Sequence, residues 1–306
     1  MRVRTAQLPH PPDGADRIIV TPGAVIVLDG ASAFGPPAVS PAAYADRLGT
    51  ELASAIASTA APLPQILATA IGVTASALDL RDDHGPSSTV AIARLSGGNA
   101  DLLILGDSSI AYRSAGTTAV LTDSRLDRLG LPQARRYRDR LATGSGYDTT
   151  HAATLRDLQA GQRVRRNAPG GYWIASANPE AAAHAVTVTV PQPPLEWIVL
   201  ATDGAIGIAR YLGLDDWEAI IRSDQGGLSA LLQRCHEWEE NADPGGRQLP
   251  RAKRHDDKAI ATIRRPDWLR ERGCSDVQSR RAERHLRHLG RGPAVQGARV
   301  APKVLQ

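Results

Sequence analysis

A chain of 306 residues with 42% apolar content can bury one large core or two ordinary ones, and with only 4% aromatic residues that core must be built mainly from Ala, Val, Leu and Ile. The formal charge of +4 is unevenly placed: residues 264–306 hold eleven Lys and Arg against four Asp and Glu, net +7, which leaves −3 on residues 1–263 and excludes a uniformly basic, nucleic-acid-coating body. Two cysteines, Cys235 and Cys274, exclude a disulfide framework, and no stretch approaches the ~20 apolar residues of a membrane span, so a soluble cytoplasmic protein without a self-anchored receptor segment is expected.

Met1–Asp16 is polar, contains prolines and lacks a signal-peptide core. Arg17–Val20 and Gly23–Leu28 read as two strands joined by a Thr21-Pro22-Gly23 turn. Ser40-Pro41 starts a helix, a capping hydroxyl followed by proline at the first helical position. Tyr44, Leu48, Leu52, Ala55 and Ile56, at helical spacing, carry it to about Ala60. A second helix is predicted over Leu63–Ala77. Ser88–Leu95, Asp101–Leu105, Ser109–Arg113 and Ala119–Leu121 are short β runs. Their brief connections fit antiparallel hairpins, because a parallel crossover needs about a dozen residues or more. Residues 124–168 are polar and arginine-rich, an expected insertion with helical fragments such as Gln133–Leu141. Strands are predicted at Tyr172–Ala175, Ala185–Val190 and Glu196–Ala201, helices at Asp216–Arg222 and Leu228–Asn241, and a last strand at Lys258–Ile263. Segregated antiparallel strands and helices make the fold class α+β. One domain is expected over residues 1–265, followed by a basic, disordered tail over 266–306. Nothing in the pattern defines an oligomeric state.

Four acidic signatures stand where apolar strands end or begin. They are Val25-Ile26-Val27-Leu28-Asp29-Gly30, Leu102-Leu103-Ile104-Leu105-Gly106-Asp107-Ser108, Ile198-Val199-Leu200-Ala201-Thr202-Asp203-Gly204, and His255-Asp256-Asp257-Lys258 before Ala259–Ile263. An aspartate at a strand edge is a carboxylate on rigid backbone. Several brought together repel one another unless cations lie between them, and hard divalent cations such as Mg²⁺ prefer such oxygen ligands. Each signature alone also reads as an ordinary turn after a core strand, and Asp107-Ser108 as a cap.

Taken together and in this order, the motifs resemble those of the metal-dependent protein phosphatases, the type 2C Ser/Thr phosphatase family, over roughly residues 16–263. The resemblance implies two packed antiparallel β-sheets flanked by α-helices, a four-layer α-β-β-α sandwich. It implies Mn²⁺ or Mg²⁺, two ions and a third, as cofactors. Asp29 would bridge two ions and the Gly30 carbonyl would bind one. Asp203 would be a ligand, Asp107 would serve the third site, and Asp256 would be the ligand of the Asp256-Asp257 pair; that last choice rests on the family pattern alone, and Asp257 stays open. Asp16 matches the end of the family's Asn-Glu-Asp motif, as a holder of metal-bound water or a residue of a surface turn. The implied activity is hydrolysis of phosphoserine or phosphothreonine in proteins by attack of a metal-bridging hydroxide, with Asp29 and Asp203 as the catalytic pair.

The chain departs from the family at defined places. Ala31-Ser32-Ala33 replaces the usual His-Gly-Gly or Met-Gly-Gly, Ser109 replaces the arginine after Gly-Asp-Ser, and Pro11 stands where a phosphate-gripping arginine is expected. Arg2, Arg4 and Arg17 are the candidate substitutes. These departures support an alternative: a pseudophosphatase that binds phosphoproteins without turnover. A second alternative is nucleic-acid association through the basic tail alone. Cys235 sits in a predicted helix without the phosphate-cradling loop a cysteine phosphatase needs. His84, His151, His236 and His255 show no zinc-ligand spacing and are assigned to loops or surfaces. Ser87-Ser88-Thr89 and Trp173, Trp197, Trp217 and Trp238 are read as structural. Arg135, Arg136, Arg138 and Arg140 are read as a solvated helix face, with phosphopeptide docking as the other possibility.

Overall fold

The computed structural model of the protein describes residues 1–11, 13–31, 39–81 and 85–264. The 266–306 tail, the Ser32-Ala33 part of the altered motif and His84 lie outside the described residues. Met1–Arg265 form one compact unit.

Ten strands make two five-stranded antiparallel sheets. One orders β1 (Arg2–Leu8), β10 (Lys258–Arg264), β9 (Leu195–Ala201), β6 (Ser109–Ser114) and β7 (Thr117–Thr122). The other orders β2 (Arg17–Val20), β3 (Ala24–Ala31), β4 (Ser87–Ser96), β5 (Asn99–Leu105) and β8 (Val186–Pro191). The central strands are apolar at nearly every position because both of their faces are covered, and side chains alternate between them. Along β3, Val25 and Val27 enter the layer between the sheets, where they meet Ile110, Ile198, Leu200 and Ile263. Ile26 and Leu28 point the other way, onto α1 (Pro41–Ser58) and α2 (Leu63–Ala77), against Tyr44, Leu48, Leu67 and Ile71. The outer face of the first sheet carries α5 (Asp203–Tyr211), α6 (Trp217–Arg222) and α7 (Gln225–Asn241). The result is the expected four-layer α-β-β-α arrangement. The small residues Ala91, Ala93, Ala259 and Ala261 line the inter-sheet layer, which fits a core poor in aromatics.

Local chemistry sets the helix ends. The Ser40 hydroxyl accepts the Ala43 N–H, Asp216 caps α6, and Asp224 caps α7. The 124–168 insertion holds α3 (Pro132–Ala142) and α4 (Thr149–Arg163), which share a small core of Tyr137, Leu141 and Leu158.

The structure adds to or changes the sequence expectations in several segments. Tyr172–Ala175 is not a strand: it makes only isolated bridges, Arg166 with Tyr172 and Ser88 with Ala175. Arg2–Leu8, polar enough to pass for a loop, is the edge strand β1, and its polarity follows from having only one neighbour, β10. Helices α4 and α5 add to the expected set. The Asp203-Gly204-Ala205 stretch looks like a turn, but it opens α5 on the Thr202 cap position.

Candidate metal centre

The backbone register brings the aspartates together. Ser109 of β6 pairs with Ala201 of β9, so Asp107 and Asp203 each lie two residues beyond one ladder rung. Ile260 of β10 pairs with the same Ala201, which sets Asp256-Asp257 at the same end of that sheet. Asp29 lies two residues before the end of β3 in the opposing sheet, paired with Thr89. Close backbone approach holds the joints: a Cβ on Gly204 would lie 2.1 Å from the Asp257 carbonyl oxygen, and one on Gly30 would lie 2.8 Å from Ala15. Neither position accepts a side chain.

Asp29, Asp203 and Asp256, with Asp16 added, form one electrostatic cluster. Burial raises the Asp29 carboxyl well above the usual range, and the charges of Asp16, Asp203 and Asp256 raise it further. Asp203 touches solvent, yet the protein around it limits its hydration; that desolvation, followed by the Asp256 charge, raises its pKa. Its Oδ1 accepts the Gly204 N–H at 2.7 Å. Asp107 flanks the cluster. Desolvation, then repulsion from Asp203, pushes it up to about 8.

Asp16 is 1% exposed, which excludes the surface turn. Burial above all pushes its carboxyl up to about 8, against the lowering effect of the Thr202 hydroxyl that donates to Oδ2 at 2.9 Å. Its other oxygen, Oδ1, is buried with no hydrogen-bond partner. A buried carboxylate oxygen left unpaired is costly, and this one stands among carboxylates. Asp257 serves another purpose. Its Oδ2 accepts the Ala15 N–H at 2.7 Å, tying the turn that carries Asp16 to the start of β10. Asp256 is engaged through Oδ1, which accepts the Asp257 N–H at 3.0 Å.

Among the described residues, three ligand atoms come within 4.8 Å of one another at His236, Glu239 and His255 and not among the aspartates, which suit divalent cations by the chemistry of their donors. An all-oxygen set of Asp29, the Gly30 carbonyl, Asp203 and Asp256, with Asp107 to one side, has the hardness that Mg²⁺ and Mn²⁺ select. The orphaned Asp16 oxygen supplies an acceptor for water held there.

Lys253 is the cation that sequence reasoning missed. Its Nζ lies 3.0 Å from Asp256 Oδ1 and 3.6 Å from Asp257 Oδ1. Partial burial would lower its pKa, but Asp256 and Asp257 outweigh that effect and raise it. The i, i+3 and i, i+4 spacing within Lys253–Asp257 was the available signal. The insertion holds this loop: the Tyr147 hydroxyl donates to the Lys253 carbonyl at 3.1 Å, and His151 Nε2 lies 3.1 Å from the Ala252 carbonyl.

The substitute phosphate-binding arginines are otherwise engaged. Arg17 is buried and forks onto Asp46 at 2.5 and 3.0 Å while donating to the Gly14 and Asp16 carbonyls at 2.7 Å each. Arg4 donates to the Ser223 carbonyl at 2.6 Å, and Arg2 lies on the edge strand opposite Arg264. Arg135, Arg136 and Arg138 are exposed on α3, and Arg140 pairs with Asp148, as a solvated face requires. Ser87 takes a bond from Arg166, and Thr89 bonds Ser108 at 2.6 Å, both structural.

The assignment of the histidines to loops or surfaces needs correction: His151 is buried on α4, and His236 lies within α7. His236 and His255 stack at 4.1 Å between ring centroids, and with Glu239 their ligand atoms lie within 4.8 Å of one another. Glu239 is fully buried, however, and already paired with the buried Lys258 at 2.6 Å and with Arg251 at 3.7 Å. The trio braces the loop that presents Asp256: Lys258 Nζ also donates to the Asp256 carbonyl at 2.7 Å.

No protein-family profile and no curated protein matches the chain. Among solved structures it is similar to the PPM Ser/Thr phosphatase MsPP from Mycobacterium smegmatis, crystallised with cacodylate. Identity there is 15%, the TM-score is 0.50, and the match covers 86% of this chain and 98% of that one. It is also similar to a point mutant of a bacterial serine phosphatase, at 8% identity, TM-score 0.51, and coverage of 87% and 98%. The chain has the fold of the PPM Ser/Thr phosphatases, carried by a divergent sequence.

Proposed function

We propose that the protein is a metal-dependent hydrolase that removes phosphate from phosphoserine and phosphothreonine in proteins, working in the cytoplasm as a signalling phosphatase. The observation that carries the reading is the convergence of Asp16, Asp29, Asp203 and Asp256 from four separate chain segments, with an unpartnered buried oxygen on Asp16. Asp29, the Gly30 carbonyl, Asp203 and Asp256 would hold Mn²⁺ or Mg²⁺, and Asp107 a further ion. Bound divalent ions activate water and neutralise charge developing on a transferring phosphoryl group. The chain's own residues fix the donors: Gly204 N–H orients Asp203, Thr202 orients Asp16, and Lys258 holds the Asp256 backbone. Among the described residues no helix is long and apolar enough to cross a membrane.

The test is p-nitrophenyl phosphate hydrolysis with Mn²⁺, with EDTA, and in Asp203→Asn. Turnover that needs Mn²⁺ and disappears in the variant supports the reading; turnover indifferent to both removes it. One observation favours the second reading, a phosphoprotein-binding pseudophosphatase: Lys253 lies on Asp256 and Asp257 while Arg17 is committed to Asp46. Folded protein that binds Mn²⁺ and phosphopeptide yet releases no phosphate would establish that alternative.

A further inference from the structure

Beside the carboxylate cluster lies a cleft of about 400 Å³, lined by Arg125, Arg128, Arg165, Gly171 and Trp173 among others. It adjoins the smaller hollow formed by Gly106, Asp107, Asp123 and Tyr172, and Trp173 lines both. Arg125 is spent structurally, forked onto Asp123 at 2.5–2.9 Å and donating to the His184 carbonyl at 2.7 Å. Trp173 is fixed by stacking on His184 at 3.4 Å between centroids. Arg128 and Arg165 are both exposed, and neither has a carboxylate partner among the described residues. Arg165 comes from the end of the insertion, and Arg128 from the short 3₁₀ turn Asp127–Leu129. The loop of Gly170 and Gly171 leaves the wall between them without side chains. Asp127 is the nearest opposing charge in sequence, and it acts on Asp107 rather than pairing with Arg128.

Two unpaired guanidinium groups on a rigid aromatic floor, next to an acidic centre, form an anion-selective recess. Guanidinium groups match phosphate and carboxylate geometry, and no acid is among the residues that line the cleft. We propose that this cleft is a second anion subsite, which takes a phosphate or carboxylate carried by the substrate polypeptide within a few residues of the phosphoserine presented to the cluster. The inference rests on the proposed phosphatase reading for its choice of a polypeptide ligand. It makes the preferred substrates multiply phosphorylated or acidic around the target residue.

The experiment measures the binding of fluorescein-labelled phosphoserine peptides to the full chain in EDTA, so that no turnover is involved. Three peptides carry phosphoserine, glutamate or alanine three residues from the target. The expected order of affinity is phosphoserine, glutamate, alanine. In Arg128→Ala/Arg165→Ala the series should flatten, with about a tenfold loss for the doubly phosphorylated peptide. Arg135→Ala/Arg138→Ala, on the exposed face of α3, should leave it unchanged. Equal affinity for all three peptides in the parent protein, or equal losses from both double variants, overturns the proposal. A phosphoserine preference without a glutamate preference assigns the site to phosphate. Hydrolysis of p-nitrophenyl phosphate in Mn²⁺ is measured in parallel. If it is absent while the peptide series still depends on Arg128 and Arg165, the subsite stands and the hydrolase reading falls.

Discussion

Two acidic clusters lie side by side in this fold, and only one of them is neutralised by the protein. Around Glu239, every carboxylate has a matched cation: Lys258 and Arg251 on Glu239, Arg251 on Asp243, and Arg254 on Glu240. Around Asp29, four aspartates meet a single lysine at their rim among the described residues, and Asp16 keeps an orphaned oxygen. The histidines of the first cluster make it look more like a metal site than the second. Charge balance reverses that impression: a dication entering at Glu239 would face Lys258 and Arg251, whereas one entering at Asp29 would relieve repulsion.

The sharpest way to break the comparison is to unbalance the neutral cluster. Lys258→Ala removes the short partner of the buried Glu239 and leaves it Arg251 at 3.7 Å as its remaining formal cation, which should cost about 3 kcal/mol of stability and show as a fall in the thermal or urea midpoint. The same removal of charge at the open cluster should act the other way. Asp203→Asn or Asp29→Asn should weaken Mn²⁺ binding by about a hundredfold or more, while the metal-free protein holds or gains stability, because a repelling charge has gone.

A third prediction concerns pH. Asp16 and Asp107, at about 8, are protonated in the metal-free fold near neutrality, although they ionise near 3.8 when unfolded. The fold thus binds more protons than the unfolded chain between those values. Metal-free stability should fall as pH rises through that window and level off above it. Metal must displace those protons, so Mn²⁺ affinity should rise with pH to about 9 by calorimetry, with proton release that differs between buffers of unlike ionisation enthalpy. An affinity flat across that range would contradict the assignment. The smallest effect belongs to Lys253→Gln. Removing the rim cation should tighten Mn²⁺ binding by about two- to fivefold, the scale of a partly exposed ion pair.

Much of this is legible in the amino-acid order. The carboxylates of Asp29, Asp107, Asp203 and Asp256 follow or precede central strands buried on both faces, and such strands announce themselves as unbroken apolar runs. Helices α1 and α2 are equally readable, because their caps and spacing are local. What escapes such a reading is non-local. Asp16 is buried by Thr202, far along the chain, and nothing within Gly14-Ala15-Asp16 reveals it. The cleft needs Arg128 and Arg165 from the two ends of the insertion. The Glu239–Lys258 brace joins a helix to a strand across a loop. Strand β1 hides behind the polarity of an edge, and α5 behind the glycine that lets Asp257 approach.

The most direct measurement is anomalous diffraction from crystals grown with Mn²⁺ and collected at the manganese edge. The account predicts peaks among Asp29, Asp203 and Asp256, with Lys253 Nζ moved off Asp256 and no peak between His236, Glu239 and His255. Manganese at the histidine trio, with the aspartate cluster empty, would contradict it.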